Sequence, residues 1–216
     1  LLRPAANPAA ETSLDLIVIG EQLWGVAYRP GVTLAEAFAR LLTSLLSAST
    51  TCGSYSAAVS RRSRCTAAAA RLGVPALRDL DDGALADLIR PSGYFRVKAK
   101  RLKAFLDVLC GDFGGDLEQM LSGDLIQARQ RLLGISGIGE ETADSILLYA
   151  GGRPVFVIDA YTRRILARHG IIDGKPAYGE LQRLFMTCLP RDAGLYNRYH
   201  ALIVETGKRY CRKEPR

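Results

Sequence analysis

Apolar residues recur at helical spacing along most of the chain. Between Ala76 and Gly93 the positions Leu77, Leu80, Leu85, Leu88 and Ile89 keep that period, and Pro91-Ser92-Gly93 ends the run. A second helix is predicted from Tyr94 to Leu109. Its apolar positions are Val97, Leu102, Phe105, Leu106 and Leu109, and its exposed ones include Arg96, Lys98, Lys100, Arg101 and Lys103. Further helices are expected from Leu125 to Leu133, Glu140 to Tyr149, Ala160 to Arg168 and Leu195 to Cys211. The clearest strand-like run, Val155 to Ile158, is too short to found a sheet. The pattern therefore predicts an all-α fold. It breaks down between Leu42 and Arg71, a stretch rich in Ala, Ser, Thr, Arg and Cys around Ser60-Arg61-Arg62-Ser63-Arg64. That stretch admits three readings: a mobile basic loop, a weak helix, or a slipped reading frame.

Composition narrows the class. The chain has 216 residues, enough for one large domain or two small lobes with a real core, and 48% of them are hydrophobic, as in an ordinary globular protein. A net charge of +7 favours a polyanionic partner. No apolar run reaches the ~20 residues of a membrane span, so no membrane partner is expected. Leu16 to Gly20, with Glu11 and Asp15 before it, reads as a buried segment rather than a secretory signal. Cysteines stand at 52, 65, 110, 188 and 211, with no Cys-x-x-Cys pair. The odd count and wide spacing argue against a disulfide framework and for a reducing cytoplasm.

The first segment that carries chemistry is Leu132-Leu133-Gly134-Ile135-Ser136-Gly137-Ile138-Gly139-Glu140-Glu141-Thr142-Ala143. One apolar helix ends, two glycines form a tight turn, and a second helix begins. Glycine tolerates positive φ and lets another backbone come close. Ile135 and Ile138 can pack between the two helices and fix their angle. The amides of Gly137, Gly139 and the first turn of the next helix then point outward, where free amides attract an anion such as a DNA phosphate. Such a contact positions the protein without reading sequence. The plain alternative is a helix corner with glycine for steric reasons.

The second segment is Gly151-Gly152-Arg153-Pro154 followed by Val155-Phe156-Val157-Ile158-Asp159-Ala160-Tyr161-Thr162-Arg163-Arg164. An apolar stretch delivers Asp159 to the start of a basic helix. The bland role is an N-cap. A carboxylate held by helix amides also stays ionised and fixed in direction, which suits it to stabilise positive charge on a deoxyribose as its base departs. The two roles are compatible.

Together these segments resemble the helix-hairpin-helix DNA glycosylases related to endonuclease III, in both order and spacing. Ile89 to Leu102 resembles the helix leading to that family's hairpin. Tyr199-His200-Ala201-Leu202-Ile203-Val204 through Gly207 and Cys211 resembles its closing helix. The resemblance covers residues 76–216. It implies two helical lobes with the active site in the cleft between them: a helical barrel lobe at 30–150, holding the hairpin at about 125–150, and a second lobe from 1–29 plus 151–216. It implies double-stranded DNA containing damaged bases as partner, a flipped-out base, a monomer, and Asp159 as the catalytic carboxylate. Gly137, Ile138, Gly139 and Thr142 of the hairpin, with Arg96 and Lys98, are the expected DNA contacts. Family members that also cut the strand carry a lysine two residues past the second glycine. Glu141 stands there, and a carboxylate forms no Schiff base. The chain therefore resembles the monofunctional 3-methyladenine DNA glycosylases of the same superfamily, and an alkylated base is the expected substrate. The alternatives are a bifunctional glycosylase/lyase and an inactive DNA-binding relative.

Two departures stand out. Family members place a Gln-Asn-Thr-like wedge after an early apolar helix, and here Leu45-Leu46-Ser47-Ala48-Ser49-Thr50-Thr51 lacks the Gln. Many members also hold an iron–sulfur cluster on four C-terminal cysteines. Cys211 sits where the first would be, and Arg216 ends the chain before the others. This tail cannot form the cluster; the expectation is either a longer native product that holds [4Fe-4S] or loss of the cluster. Trp24, Tyr94, Phe95, Tyr149 and Tyr161 are candidates to stack on a flipped base. His200, on an apolar helix, reads as a structural histidine.

Overall fold

A computed structural model of the protein describes residues 72–212. The irregular stretch 42–71, the wedge candidate, Trp24 and most of the expected barrel-lobe start lie outside the described residues. Among the described residues all regular structure is helical. Residues 72–79 are helical. There follow α1 (Asp82–Leu88), a single 3-10 turn (Arg90–Ser92), α2 (Phe95–Phe113), α3 (Leu117–Leu121), α4 (Leu125–Leu133), α5 (Glu140–Ser145) running into a wider helical turn (Ile146–Ala150), α6 (Ala160–Arg168), α7 (Tyr178–Cys188) and α8 (Ala193–Arg209). None of these helices is long and apolar enough to cross a membrane.

Aspartates start most of the helices. Asp81, Asp116, Asp124, Asp159 and Asp192 each accept an amide hydrogen bond from the first turn that follows. Leu80 and Asp81 therefore interrupt the run that periodicity alone carries from Ala76 to Gly93. The α2 helix buries Leu102, Phe105, Leu106 and Leu109 as expected and departs from expectation only in its first turn. Val97 is exposed, whereas Lys98 is buried and its Nζ donates to Ser92 O at 2.8 Å. Residues 98, 102, 105, 106 and 109 share one face, so Lys98 occupies an inward position with its charge on a carbonyl. Lys103 likewise donates to Arg78 O and Leu80 O. The expected basic face shrinks to Arg96, Lys100 and Arg101, and Lys98 drops out of the DNA-contact set.

The helices form two groups over one continuous core. Leu85, Ile89, Leu102, Phe105, Leu106 and Leu132 fill the first group, α1 to α5, and Phe156, Leu166, Leu181 and Tyr196 carry the core into α6 to α8. Gly207 of α8 lets α6 approach: a Cβ there would lie 2.5 Å from Tyr161 Cδ1. Arg164 clamps the same contact by donating to Gly207 O at 2.7 Å and Cys211 O at 2.8 Å.

Val155 to Ile158 joins the two groups and is not a strand. All four residues are buried, and among the described residues no strand pairs with them. Side chains of α7 supply the missing partners: Gln182 Nε2 donates to Phe156 O at 2.7 Å, and the Tyr178 hydroxyl accepts from Ile158 N at 3.3 Å. The same Gln182 nitrogen donates to Asp144 Oδ2 at 2.7 Å. Burial first, then the charge of Asp144, pushes the Tyr178 hydroxyl far above its usual range, so it stays a neutral donor towards that carboxylate. Asp144 is fully buried on α5. Arg129 of α4 grips it with two bonds, Nε to Oδ1 at 2.7 Å and Nη2 to Oδ2 at 3.1 Å.

Removing the Asp144 carboxylate strands a half-buried guanidinium and two donors of α7. Asp144→Ala is expected to cost ~3–5 kcal/mol of unfolding free energy, the scale of a broken buried pair. The Asp144→Leu/Arg129→Met double exchange should cost less than Asp144→Ala alone. Urea unfolding measures both; a loss below ~1 kcal/mol for Asp144→Ala would show that the network is not holding these elements together.

Candidate active site

The hairpin forms as the sequence predicts. Ile135 and Ile138 are buried between α4 and α5, and Gly137 and Gly139 are exposed. Gly137 has φ +86°, and a Cβ there would lie 2.5 Å from Arg101 Cγ. The position thus needs glycine twice over, for its backbone and for the side chain lying across it. Gly139 caps α5 in extended conformation, and nothing would meet a Cβ built on it. Open space therefore lies ahead of the first helical amides, which precede the Ala143 N to Gly139 O bond. Thr142 is half-buried in that first turn. Arg101 had figured only as one of several exposed basic residues; across 36 residues of sequence no local pattern ties it to Gly137.

A second basic patch surrounds the 3-10 turn. The guanidiniums of Arg90 and Arg96 lie 5.4 Å and 5.8 Å from the Phe95 ring centroid. Tyr94 beside them is 71% exposed and has φ +48°, a left-handed conformation that bulky side chains rarely adopt. Of the aromatic candidates, Tyr94 is therefore the described ring most available to a base. Tyr149 is buried, Tyr161 covers Gly207, and Phe95 is half-buried.

Asp159 stands where the two helix groups meet. It is 9% exposed. Its Oδ1 accepts from Thr162 N at 2.7 Å and from Thr162 Oγ1 at 2.8 Å. This is the expected N-cap, reinforced by a hydroxyl. Its Oδ2 faces His200 Nε2 of α8 at 3.7 Å, and His200 Nδ1 is hydrogen-bonded to the Tyr149 hydroxyl. The contacts span 41 and 51 residues, so sequence alone gave no reason to join His200 or Tyr149 to Asp159.

Glu141 on α5 faces the same seam. Burial of its carboxyl and, second, the charge of Asp159 push it up to about 7, with Arg163 opposing. Glu141 as a whole keeps solvent contact, which screens those charges. The Lys98 amine is engaged on the Ser92 carbonyl, as described above. The Cys211 thiol accepts from Arg168 Nη1 at 3.2 Å. Burial works to raise its pKa, but hydrogen bonds and charge from Arg168 and Arg164 outweigh that and lower it. Among the described residues no three His, Cys, Asp or Glu side chains converge.

Glu141 makes stability depend on pH. Its folded-state value of about 7 lies above the ordinary 4.5, so the folded protein holds a proton that the unfolded chain has lost in this window, and stability falls as pH rises through it. Glu141→Gln should match wild type in thermal midpoint near about pH 4 and exceed it near about pH 8. An equal offset at both values would contradict this assignment.

Comparison with known proteins places these features in one lineage. Residues 43–191 match the profile described as HhH-GPD superfamily base excision DNA repair protein. A Methanocaldococcus jannaschii protein assigned by name to the DNA repair glycosylases is 45% identical over 137 residues, 63% of this chain and 62% of that protein. Endonuclease III of Sulfolobus acidocaldarius is 30% identical over 136 residues, 63% of this chain and 58% of that protein. The match thus spans less than two thirds of the length of these relatives. Among solved structures, H. pylori 3-methyladenine DNA glycosylase bound to 1,N6-ethenoadenine superposes with a TM-score of 0.66 at 26% identity, over 89% of this chain and 92% of that one. An endonuclease III–DNA covalent intermediate gives 0.68 at 20% identity, over 93% and 87%, which shows a shared fold. The chain belongs to the HhH-GPD superfamily of base excision DNA repair proteins.

Proposed function

We propose that this protein is a monofunctional DNA glycosylase that hydrolyses the N-glycosidic bond of an alkylated base in duplex DNA. The observation that carries the proposal is the setting of Asp159: a carboxylate held by Thr162 at one oxygen, at the seam between the helix groups, in a chain whose hairpin leaves room for a phosphate. As the base departs, positive charge develops on the sugar. A fixed carboxylate in a water-poor seam stabilises that charge more than a solvated one does. An alkylated purine is cationic and already a good leaving group, so it asks for little protonation. The 26% identical neighbour, a 3-methyladenine DNA glycosylase bound to 1,N6-ethenoadenine, supports this substrate class.

Glu141 supports the monofunctional part. It stands where an amine would be needed for a Schiff base to the sugar, and a carboxylic acid cannot form one. Gly137, Ile138, Gly139 and Thr142 would seat one DNA phosphate, with Arg101 beside them. Arg96 would follow the backbone, and Tyr94 would stack against an unpaired base.

Asp159→Asn should lower single-turnover release of free base from methylated duplex DNA at least ~10²-fold, while duplex binding survives. If the exchange costs only ~1 kcal/mol of stability and leaves release intact, Asp159 is a cap alone. Wild type should leave abasic sites uncut and yield no borohydride-trapped adduct; a trapped adduct would show a bifunctional enzyme. In the hairpin, Gly139→Leu fills the open space without backbone strain. It should weaken binding to all duplexes alike and reduce the salt slope by about one contact. Unchanged affinity and slope would take the hairpin off the DNA.

A further inference from the structure

Behind Asp159 lies a buried chain of polar groups that neither the hairpin nor the cap requires. His200 is 4% exposed and Tyr149 is also buried. The Tyr149 hydroxyl is bonded to His200 Nδ1. Burial first, then the charge of Asp159, holds the phenol protonated, and the Asp159 carboxylate facing the other ring nitrogen at 3.7 Å favours a proton there, so Tyr149 donates and Nδ1 accepts. An imidazole that accepts at Nδ1 carries its own proton at Nε2. That Nε2 is buried without a hydrogen-bond partner, and it faces Asp159 Oδ2 at 3.7 Å. Buried donors are rarely left unmade, because the desolvation cost is not recovered. The Phe156 ring stands edge-on to the imidazole at 6.4 Å and limits its tilt.

We propose that His200 is a positioning residue for the glycosylase reaction: its Nε2–H, held on that nitrogen by Tyr149, aims and steadies the Oδ2 side of the Asp159 carboxylate. The inference rests on Asp159 being the reacting carboxylate. Thr162 already takes both bonds at Oδ1, so Oδ2 is the oxygen left to swing. At 3.7 Å the pair is longer than a hydrogen bond. Such contacts commonly shorten when substrate fills a site.

The histidine does this only while neutral. An imidazolium beside Asp159 would cancel the negative charge that the reaction needs. Burial first disfavours the charged ring, Asp159 favours it, and Lys208 of the same helix opposes it, with a net lowering of the His200 pKa. Glu141 from α5 and Arg163 from α6 act on the same seam. Tyr149 adds a geometric guard: its hydroxyl occupies the nitrogen lone pair that a second proton would take.

The test has two arms on the full chain. In the first, nitrogen-15 NMR reads the two histidines; His169 is exposed and serves as the reference. His200 should show the neutral, Nε2-protonated tautomer at neutral pH, and Tyr149→Phe should make it easier to protonate. An Nδ1-protonated ring in wild type overturns the proposal with no reference to activity. In the second arm, release of methylated base from methylated duplex DNA is followed against pH. His200→Leu should lower kcat ~10-fold or more with little change in duplex affinity, which is a smaller loss than that of Asp159→Asn. His200→Gln, which keeps a donor, should recover most of it and guards against misfolding of the Leu variant. Tyr149→Phe should move the acid limb of kcat to higher pH. If Asp159→Asn abolishes release but the His200 and Tyr149 variants keep wild-type rates and profiles, the positioning role is wrong and the Asp159 assignment stands. If Asp159→Asn is itself without effect, the Asp159 assignment falls, and the positioning role falls with it.

Discussion

The bidentate pair between Arg129 and the fully buried Asp144 ties the site together. It fastens α4 to α5 behind the hairpin, so the angle that opens the Gly139 end depends on it. Through Gln182 the same carboxylate reaches α7, and through Gln182 and Tyr178 that helix supplies partners for an extended backbone with no strand beside it. The extended segment ends at Asp159. One buried charge thus fixes both the Gly137–Gly139 turn and the carboxylate at the seam, and a displacement of either element disturbs the other. A bare carboxylate in such a core would be ruinous; an Arg fork and an amide donor satisfy its lone pairs.

The seam also sorts carboxyl groups by environment. Asp159 has its Oδ1 filled by an amide and a hydroxyl, whereas Glu141, a helix away, is pushed up towards neutrality by burial and by Asp159 itself. The two carboxyl groups thus stand in unlike surroundings, one fixed by hydrogen bonds at Oδ1 and the other pushed up by burial and by its neighbour's charge. On α2 the exposed cations are Arg96, Lys100 and Arg101, and Lys98 and Lys103 are taken up by backbone carbonyls.

What the sequence made legible was local. The hairpin, its buried Ile135 and Ile138, and the cap role of Asp159 each follow from a few adjacent residues, and the structure forms all of them. The spans of α4 and α6 were also read correctly. In α2 the inward face of Leu102, Phe105, Leu106 and Leu109 follows from the period, but hydropathy places Val97 inside and Lys98 outside, and a lysine with its charge on the Ser92 carbonyl defeats that sorting. The α3 helix, five residues long between Asp116 and Ser122, gives too little period to detect, and α7 went unread although Leu181 and Phe185 keep an i, i+4 spacing. Val155 to Ile158 has strand composition because all four residues are buried, not because it pairs. Arg101 over Gly137 and His200 behind Asp159 are contacts made by folding alone.

The central claim is that Asp159 offers negative charge where the sugar becomes positive. Its most direct measure compares two abasic-site duplexes that differ in one atom: a pyrrolidine, cationic where the anomeric carbon would stand, and a neutral tetrahydrofuran. The account predicts that wild type binds the cation at least ~10-fold more tightly, about 1.4 kcal/mol, and that the preference disappears in Asp159→Asn. Equal affinity for the two duplexes in wild type, or a preference that survives the exchange, would contradict it.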